Sequence, residues 1–237
     1  MEIIAHRGYS AIAPENTIPA FTAAVEAAAD SVELDVQVTA DGVPVAFHDR
    51  HTARVTQMPG TIRERTWQQL QSLDVGAWFD PRFAGTTIPS LAAVLPVVAQ
   101  VPQSIYLDVK PYWDWQEKEV RQLAMLLREV GIEQRCIVYC DNQRFVQQWQ
   151  QLQTRTMMGS IVTSVDGFLS RLTEATAGEV LISEYRVLLA KPDLVAMARN
   201  REMDVVAWTV DSHQEWEQLK AMGISRIVTN VPGDIGL

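Results

Sequence analysis

Basic residues, cysteines and long apolar runs are all scarce in this chain of 237 residues. Lys and Arg number 20 against 29 Asp and Glu, so the formal net charge is −9 and the pI is near 4.9. Nucleic acids and anionic lipid surfaces are bound by clustered Lys and Arg. The charge balance therefore argues against a nucleic-acid partner and against stable membrane association, although two or three local cations can still bind a single phosphate.

The two cysteines, Cys136 and Cys140, lie in one apolar run, CIVYC, that is typical of a strand. Four residues apart along a strand they are too distant to form a disulfide, so we expect two reduced core thiols. No segment is long enough to span a bilayer, and the start of the chain, MEIIAHRGYS, lacks a basic region followed by a long apolar stretch. These absences favour a cytoplasmic location.

Apolar runs rich in Val and Ile alternate with longer stretches that have helical spacing. Most of the runs lack polar alternation, as expected of strands covered on both faces. This pattern predicts an α/β fold, a TIM-type (β/α)₈ barrel that forms one domain over residues 1–237, with an open doubly wound sheet as the alternative. The eight runs are EIIAH, VELDVQV, IYLDVK, CIVYC, MMGSIV, EVLIS, DVVAWTV and RIVTN.

The connection between VELDVQV and IYLDVK is much longer than the others, at roughly 65 residues. It contains a hairpin signal, in which Asp41-Gly42 leads into VPVAFHD, an irregular Gly- and Pro-containing stretch and two short helical patterns. We interpret residues from about 42 to 90 as a small insertion after the second strand and not as a second domain.

Two helical stretches carry end signals. In PENTIPAFTAAVEAAAD, Asn16 or Thr17 can cap the helix and Pro19 falls in its first turn. The stretch DWQEKEVRQLAMLLREVG has apolar residues at helical spacing and ends at Gly131. Both stretches fit helices between barrel strands.

Polar residues follow or end several of these apolar runs. In a barrel of this type the active site gathers at the carboxyl ends of the strands, so these residues are the site candidates. Alternation along a strand places Glu33 with Asp35, and Asp108 with Lys110, on common faces. The candidates are His6, Arg7, Glu33, Asp35, His48, Asp108 and Lys110.

Three carboxylates that converge in a barrel mouth repel one another unless a cation compensates them. Oxygen ligands from Glu33, Asp35 and Asp108 suit Mg²⁺ or Ca²⁺ better than Zn²⁺, which prefers nitrogen and sulfur. The alternative is that they are surface or salt-bridged carboxylates. Beside them, His6 and His48 are candidates for a general acid and a general base, and a purely structural role is the alternative for each.

Positive charge lies next to this cluster in Arg7 and Lys110, which suits an anionic phosphoryl group. Either side chain can instead pair with the neighbouring carboxylates. Lys110 is the stronger candidate, because the sequence contains only four lysines and this one directly follows a strand that is predicted to be buried.

These residues, in this order, resemble the glycerophosphodiester phosphodiesterase family, in particular its short bacterial cytosolic members. The resemblance extends over nearly the whole chain, and its first two segments are long and specific. The matching segments are HRGYSAIAPENTIPAF at 6–21, VELDVQVTADGVPVAFHD at 32–49, LDVK at 107–110, AWTVD at 207–211 and IVTNVP at 227–232.

The resemblance implies a TIM-type barrel that hydrolyses a small glycerophosphodiester to sn-glycerol 3-phosphate and an alcohol, with a divalent cation, Mg²⁺ or Ca²⁺. It implies that His6 and His48 are the acid/base pair. Glu33 and Asp35 resemble metal ligands, and Arg7 and Lys110 resemble phosphate contacts. Trp208 matches an aromatic residue at the pocket rim, with packing inside the barrel as its alternative. Glu15 and Asn16 match a turn beside the site, where they order the loop or cap the helix.

The chain departs from the family pattern at two positions. Asp108 stands where the family usually has Glu, which shortens a metal ligand by one methylene group. Asn230 stands where the family usually has Asp, and we assign it no role.

Two alternatives to this function stay open. One is a related phosphodiesterase for lysophospholipids, for which Trp67, Trp78, Phe79 and Phe83 would form an apolar entrance, although these residues can instead pack the insertion onto the barrel. The other is a barrel that binds a ligand without turnover. We favour the small substrate, because no basic amphipathic helix that would seek a membrane is evident.

Overall fold

In the computed structural model, which describes residues 1–174 and 178–235, parallel strands close into a barrel. Eight of the strands are parallel neighbours, and β1 pairs with both β2 and β9, which closes the ring. β3 instead runs antiparallel to β2. The strands are β1 (Glu2–His6), β2 (Ser31–Val38), β3 (Pro44–Ala46), β4 (Ile105–Val109), β5 (Cys136–Tyr139), β6 (Met157–Val162), β7 (Val180–Glu184), β8 (Asp204–Trp208) and β9 (Arg226–Thr229).

Each of the eight predicted apolar runs contains one barrel strand, so the predicted TIM-type barrel is confirmed and the open-sheet alternative is wrong. The closure through β1 and β9 decides between the two folds. β2 is buried along its whole length, as expected of a strand with the barrel interior on one side and helices on the other.

Helices connect the strands and cover the outside of the barrel. Thr17, and not Asn16, caps α1 through its side chain, which accepts a hydrogen bond from the Ala20 amide. α5 ends at Gly131 in the left-handed conformation, as its sequence predicts. Among the described residues, no helix combines the length and the apolar character that a membrane span requires. The helices are α1 (Ile18–Glu26), α2 (Ala53–Thr56), α3 (Trp67–Leu70), α4 (Leu91–Val98), α5 (Glu117–Val130), α6 (Gln143–Gln151), α7 (Val165–Glu174), α8 (Tyr185–Ala190), α9 (Asp193–Arg199) and α10 (His213–Ala221).

Apolar side chains fill much of the barrel interior. Its apolar cluster consists of Ile4, Tyr106, Ile137, Tyr139, Val180, Ile182, Val206 and Val228. At the amino-terminal end, the buried Glu2 carboxylate accepts hydrogen bonds from Ser31 Oγ at 2.6 Å and Tyr106 Oη at 3.2 Å, and pairs with Arg226 at 3.1 Å. Because these groups fill one end of the barrel, the opposite end is where a ligand can enter.

The segment between β2 and α4 has a small apolar core of its own. β3 pairs with β2 as the hairpin signal predicts, and α2 and α3 follow it. The core of the segment consists of Val45, Phe47, Val55, Ile62, Leu70, Leu73, Val75 and Ile88, with Trp67 packed against it. The segment therefore holds the loop after β3 in a fixed place at the edge of the barrel mouth.

Both cysteines of the chain are buried and unbridged, as the sequence predicts. Burial raises the pKa of Cys136 and that of Cys140 to about 12. Since the thiolate is the reactive form, both thiols are expected to be inert at neutral pH in the folded protein.

We predict that the native protein does not react with the thiol reagent DTNB at pH 8 within minutes. After unfolding in guanidinium, two thiols per chain react at once, because the barrel no longer covers them. The absorbance of the released thionitrobenzoate gives the number of reactive thiols per chain before and after unfolding. Rapid labelling of either thiol in the native protein would contradict the packing around β5.

Candidate active site

The register of the first strands aligns the acidic and histidine side chains at the carboxyl end of the barrel. His6 on β1 is aligned with Glu33 on β2, and Asp35 on β2 is aligned with Asp108 on β4. Aligned residues of parallel neighbours point to the same face of the sheet. The four side chains therefore occupy two successive layers at the barrel mouth.

One cavity of about 170 Å³ opens at this end of the barrel. On the same measure, a single water needs about 10–15 Å³, so the cavity has room for a small organic molecule. All eight of the predicted site residues line it: His6, Arg7, Glu33, Asp35, His48, Asp108, Lys110 and Trp208. Tyr139, Ile161, Ile182 and Val228 complete the lining.

The three carboxylates lie close enough to hold one cation. One oxygen each from Glu33, Asp35 and Asp108 lies within 4.8 Å of the others. Burial and the neighbouring Asp35 carboxylate raise the pKa of Glu33 well above its ordinary value. Burial also raises the pKa of Asp108, although Lys110 opposes the shift. An all-oxygen set under this repulsion has the donor chemistry that Mg²⁺ and Ca²⁺ prefer.

Two cationic side chains compensate part of this charge. Lys110 Nζ lies 2.6 Å from both Asp35 Oδ1 and Asp108 Oδ2, and Arg7 Nε lies 3.2 Å from Asp35 Oδ2. Burial opposes ionisation of Asp35, but Lys110 and Arg7 hold the pKa of its carboxyl well below the usual range. Glu33 pairs with neither cation and accepts a hydrogen bond from the Arg7 backbone amide at 3.0 Å. Glu33 is therefore the carboxylate that gains most from a bound cation.

The loop between β1 and α1 has an unusual backbone where it meets the site. Arg7 and Asn16 both have φ near 56°, in the left-handed region that most side chains avoid. Gly8 has φ 83°, and a Cβ there would lie 2.5 Å from the Ala20 carbonyl carbon. This turn lets Asn16 donate to Asp35 Oδ2 at 2.6 Å and accept from the Asp35 amide at 3.1 Å. Asn16 thus orders the loop beside the site and does not cap α1.

A chain of ion pairs joins the loop after β1 to the loop after β3. Arg7 donates to Glu15 at 2.8 Å, and Arg54 donates to the same carboxylate at 2.7 Å. Arg54 also donates to Asp49, whose Oδ1 lies 2.7 Å from His48 Nδ1. Arg7, which follows β1, and His48, which follows β3, are therefore linked through three intermediate charges.

The backbone beside His48 is anchored by Gln37, which is 2% exposed on β2. The Gln37 amide donates to the carbonyl oxygens of Phe47, His48 and Asp49 at 2.9, 3.2 and 2.8 Å. The loop that carries His48 is thereby tied to the same strand that carries Glu33 and Asp35.

His6 contacts a residue to which the sequence analysis gives no role. Its Nδ1 lies 2.7 Å from Asn230 Oδ1, and the Asn230 amide group donates to Asp211 Oδ2 at 2.7 Å. Asn230, to which the sequence assigned no role, is therefore in contact with a candidate site residue. Burial of the ring, followed by the positive charge of Arg7, lowers the pKa of His6 to about 4. The ring is consequently uncharged at neutral pH.

Sequence reasoning missed further residues of the site for a common reason. Asp49, Arg54 and Asp211 act on the site through other side chains, and such contacts leave no periodic signal in a sequence. Asn230 does carry a signal, because it follows the RIVT strand as His6 ends EIIAH. Like the other candidates, Asn230 is a polar residue at the carboxyl end of a barrel strand.

Three of the four aromatic residues proposed for an acyl entrance pack against one another, and Trp67 packs on the apolar core of the segment between β2 and α4. Phe79 makes edge-to-face contacts with Trp78 and Phe83, each at 5.8 Å between ring centroids. Trp78 is 36% exposed and lines a separate narrow cleft beside Glu15 and His48. None of the four aromatic residues proposed for an acyl entrance lines the main cavity.

Comparison with known proteins identifies relatives over the whole length of the chain. The YhdW protein of Bacillus subtilis (strain 168) is 36% identical, with 98% of this chain and 95% of that protein covered. A glycerophosphodiester phosphodiesterase of Caldanaerobacter subterraneus is 30% identical, with 97% and 94% covered. An Oleispira antarctica phosphodiesterase, solved in complex with the product sn-glycerol-3-phosphate, has a TM-score of 0.89 and 25% identity, with 100% of this chain and 95% of that chain covered.

The family model for glycerophosphoryl diester phosphodiesterases matches residues 6–234, which include every strand from β2 to β9 and all of the cavity lining. The non-catalytic alternative is set aside, because the relatives carry the name of this enzyme class. From the family match, the relatives and the barrel itself, we conclude that this chain belongs to the glycerophosphoryl diester phosphodiesterase family and is an enzyme of that class.

Proposed function

We propose that this enzyme hydrolyses glycerophosphodiesters to sn-glycerol 3-phosphate and an alcohol by metal-dependent acid/base catalysis. The observation that carries the proposal is that two histidines, three carboxylates and two cationic side chains line one and the same cavity. The Oleispira antarctica phosphodiesterase, whose product is sn-glycerol-3-phosphate, supports this choice of product. The cytoplasmic location stays a prediction.

Glu33, Asp35 and Asp108 are the residues proposed to hold the cation, Mg²⁺ or Ca²⁺. Their fit rests on the all-oxygen donor set and on the raised pKa of Glu33, which a cation would reverse. When bound, a divalent cation supplies Lewis-acid stabilisation to the phosphoryl oxygens.

Arg7 and Lys110 are proposed to bind the phosphoryl group. Both are largely buried and carry fixed positive charge, since Asp35 raises the pKa of each side chain despite its burial. Their carboxylate partners also fix their position, so little side-chain entropy is lost when a phosphate arrives. Preorganised cations of this kind stabilise the charge that develops on the phosphate oxygens in the transition state.

His6 and His48 are proposed as the pair that moves protons. One removes a proton from the nucleophile, which is either water or the adjacent glycerol hydroxyl, and the other protonates the departing alkoxide. Each ring is oriented through Nδ1, which leaves Nε2 for the reacting groups. The two rings come from different elements, so they can act on different sides of the phosphate.

The substrate is proposed to be small and water-soluble and not a lysophospholipid. The aromatic residues of the insertion are engaged with one another and with the insertion core, so they do not form an acyl tunnel into the cavity. Trp208, whose ring donates to the Ile182 carbonyl at 3.0 Å, is the aromatic residue proposed to contact the glycerol moiety at the rim.

We predict that His6→Ala and His48→Ala each lower kcat by about two to four orders of magnitude, because each removes a proton-transfer group. The measurement is release of glycerol 3-phosphate from glycerophosphocholine, with the circular dichroism spectrum recorded to show that the fold is intact. Lysophosphatidylcholine is expected to be cleaved more slowly by the wild type.

His51→Ala is the matched control, since His51 is exposed, lies three residues after His48 in the sequence and does not line the cavity. It should keep kcat within about twofold of the wild type. Near-normal turnover in His6→Ala or His48→Ala would remove that histidine from the mechanism.

A second prediction separates two roles for Asp108. As a metal ligand, Asp108→Asn loses a charge, so the metal concentration for half-maximal activity should rise at least about tenfold, whereas Asp108→Glu should stay active. Lys110 also contacts Asp35 at 2.6 Å, and neither substitution removes that carboxylate.

Titration of Mg²⁺ and Ca²⁺ against activity decides between the two roles. If Asp108 only orders Lys110, Asp108→Asn raises KM for the substrate and leaves the metal midpoint unchanged. An unchanged midpoint would exclude Asp108 as a ligand.

A further inference from the structure

The loop after β9 presents one amide side chain to three partners at the edge of the cavity. Asn230 Oδ1 lies 2.7 Å from His6 Nδ1 and 2.7 Å from Ser10 Oγ, and Asn230 Nδ2 lies 2.7 Å from Asp211 Oδ2. The Asn230 backbone is held as well, because its amide donates to Asp211 at 2.8 Å and its carbonyl accepts from the Ala11 amide at 3.1 Å. The side chain is thus fixed between two loops.

The chemistry of these partners determines which way each hydrogen bond runs. An ionised carboxylate only accepts hydrogen bonds, so the amide nitrogen of Asn230 must face Asp211. The amide oxygen therefore faces His6, and since this oxygen also only accepts, His6 Nδ1 must carry the hydrogen. In the neutral ring, Nε2 is then left with a free lone pair, on the side where Glu33 Oε2 lies 3.9 Å away.

We propose that Asn230, oriented by Asp211, is a positioning residue that holds His6 in the Nδ1–H tautomer and points the Nε2 lone pair into the cavity. The inference rests on the proposed role of His6 in proton transfer. It makes His6 ready to accept a proton without a rearrangement of its ring. His48 differs, because the partner of its Nδ1 is the Asp49 carboxylate itself, at 2.7 Å.

The test measures the tautomer and the turnover separately, on the full chain with Mg²⁺ present. Long-range proton–nitrogen NMR of ¹⁵N-histidine-labelled protein distinguishes a protonated from an unprotonated ring nitrogen, and the His6→Ala spectrum assigns the His6 signals. The wild type should have hydrogen on Nδ1 and a bare Nε2. In Asn230→Ala the acceptor is lost, so a substantial Nε2–H population should appear.

The kinetic effect should fall on kcat. Loss of a partner that orients a functional imidazole costs about tenfold to a hundredfold, with KM for glycerophosphocholine changed much less. The exchange variant Asp211→Asn/Asn230→Asp moves the negative charge from position 211 to position 230. The side chain at 230 can still accept the hydrogen of His6 Nδ1–H, and the side chain at 211 can still donate to residue 230. This variant should retain the Nδ1–H tautomer and recover most of the lost kcat. Asn200→Ala, at an exposed position after α9, is the matched control and should change neither quantity.

Three results would overturn the inference. These are a wild-type His6 with hydrogen on Nε2, an unchanged tautomer in Asn230→Ala, or a changed tautomer with unchanged kcat. Failure of the proposed function would appear elsewhere, as full turnover in His6→Ala, and would leave the tautomer measurement unaffected. If Asn230→Ala does not fold, the exchange variant alone still tests the point, because it must keep Nδ1–H.

Discussion

The mutual repulsion of Glu33, Asp35 and Asp108 is the constraint on which the structure around the barrel mouth depends. Their oxygens converge within 4.8 Å at the end of two adjacent strands, where burial makes each negative charge costly. Lys110 bridges Asp35 and Asp108, and Arg7 reaches Asp35 from the first loop. The two positive charges do not balance the three carboxylates. Glu33, whose pKa is raised, is the carboxylate with the least compensation. This net negative charge is the physical basis of the proposed divalent cation, and Arg7 and Lys110 are the side chains proposed to bind the phosphate.

The fold places the two histidines that are proposed to transfer protons next to this charged centre. His6 lies at the end of β1 and is held from the last strand by Asn230, so the closure of the barrel between β1 and β9 also fixes the orientation of the ring. His48 comes from the loop after β3, which Gln37 and the apolar core of the insertion hold in place. Glu15 and Arg54 connect the loop after β1 to the loop after β3 through ion pairs. Several of these pairs are partly exposed, so they contribute modestly to stability. Their main effect is to restrict the positions of Arg7 and His48.

The strands and the cavity lining were accessible to sequence reasoning because buried parallel strands leave continuous apolar runs and because the residues that end them face one site. The residues that share a face of one strand were also predictable from the alternation of side chains, since Glu33 with Asp35 and Asp108 with Lys110 are each two residues apart. The contacts that orient the histidines were not accessible. Asn230 and His6 are separated by 224 residues, and only the closure of the ring brings them together. The choice between Thr17 and Asn16 as the α1 cap depended likewise on a contact with another strand, because Asn16 is bound to Asp35.

The uncompensated negative charge of the cavity is proposed to make catalysis depend on a divalent cation. The most direct measurement is hydrolysis of glycerophosphocholine, followed by phosphorus NMR, before and after exhaustive chelation, with elemental analysis of the same protein samples. We expect metal-depleted protein to stay folded, to lose turnover and to regain it when Mg²⁺ or Ca²⁺ is added. Full turnover by protein that elemental analysis finds free of metal would contradict it.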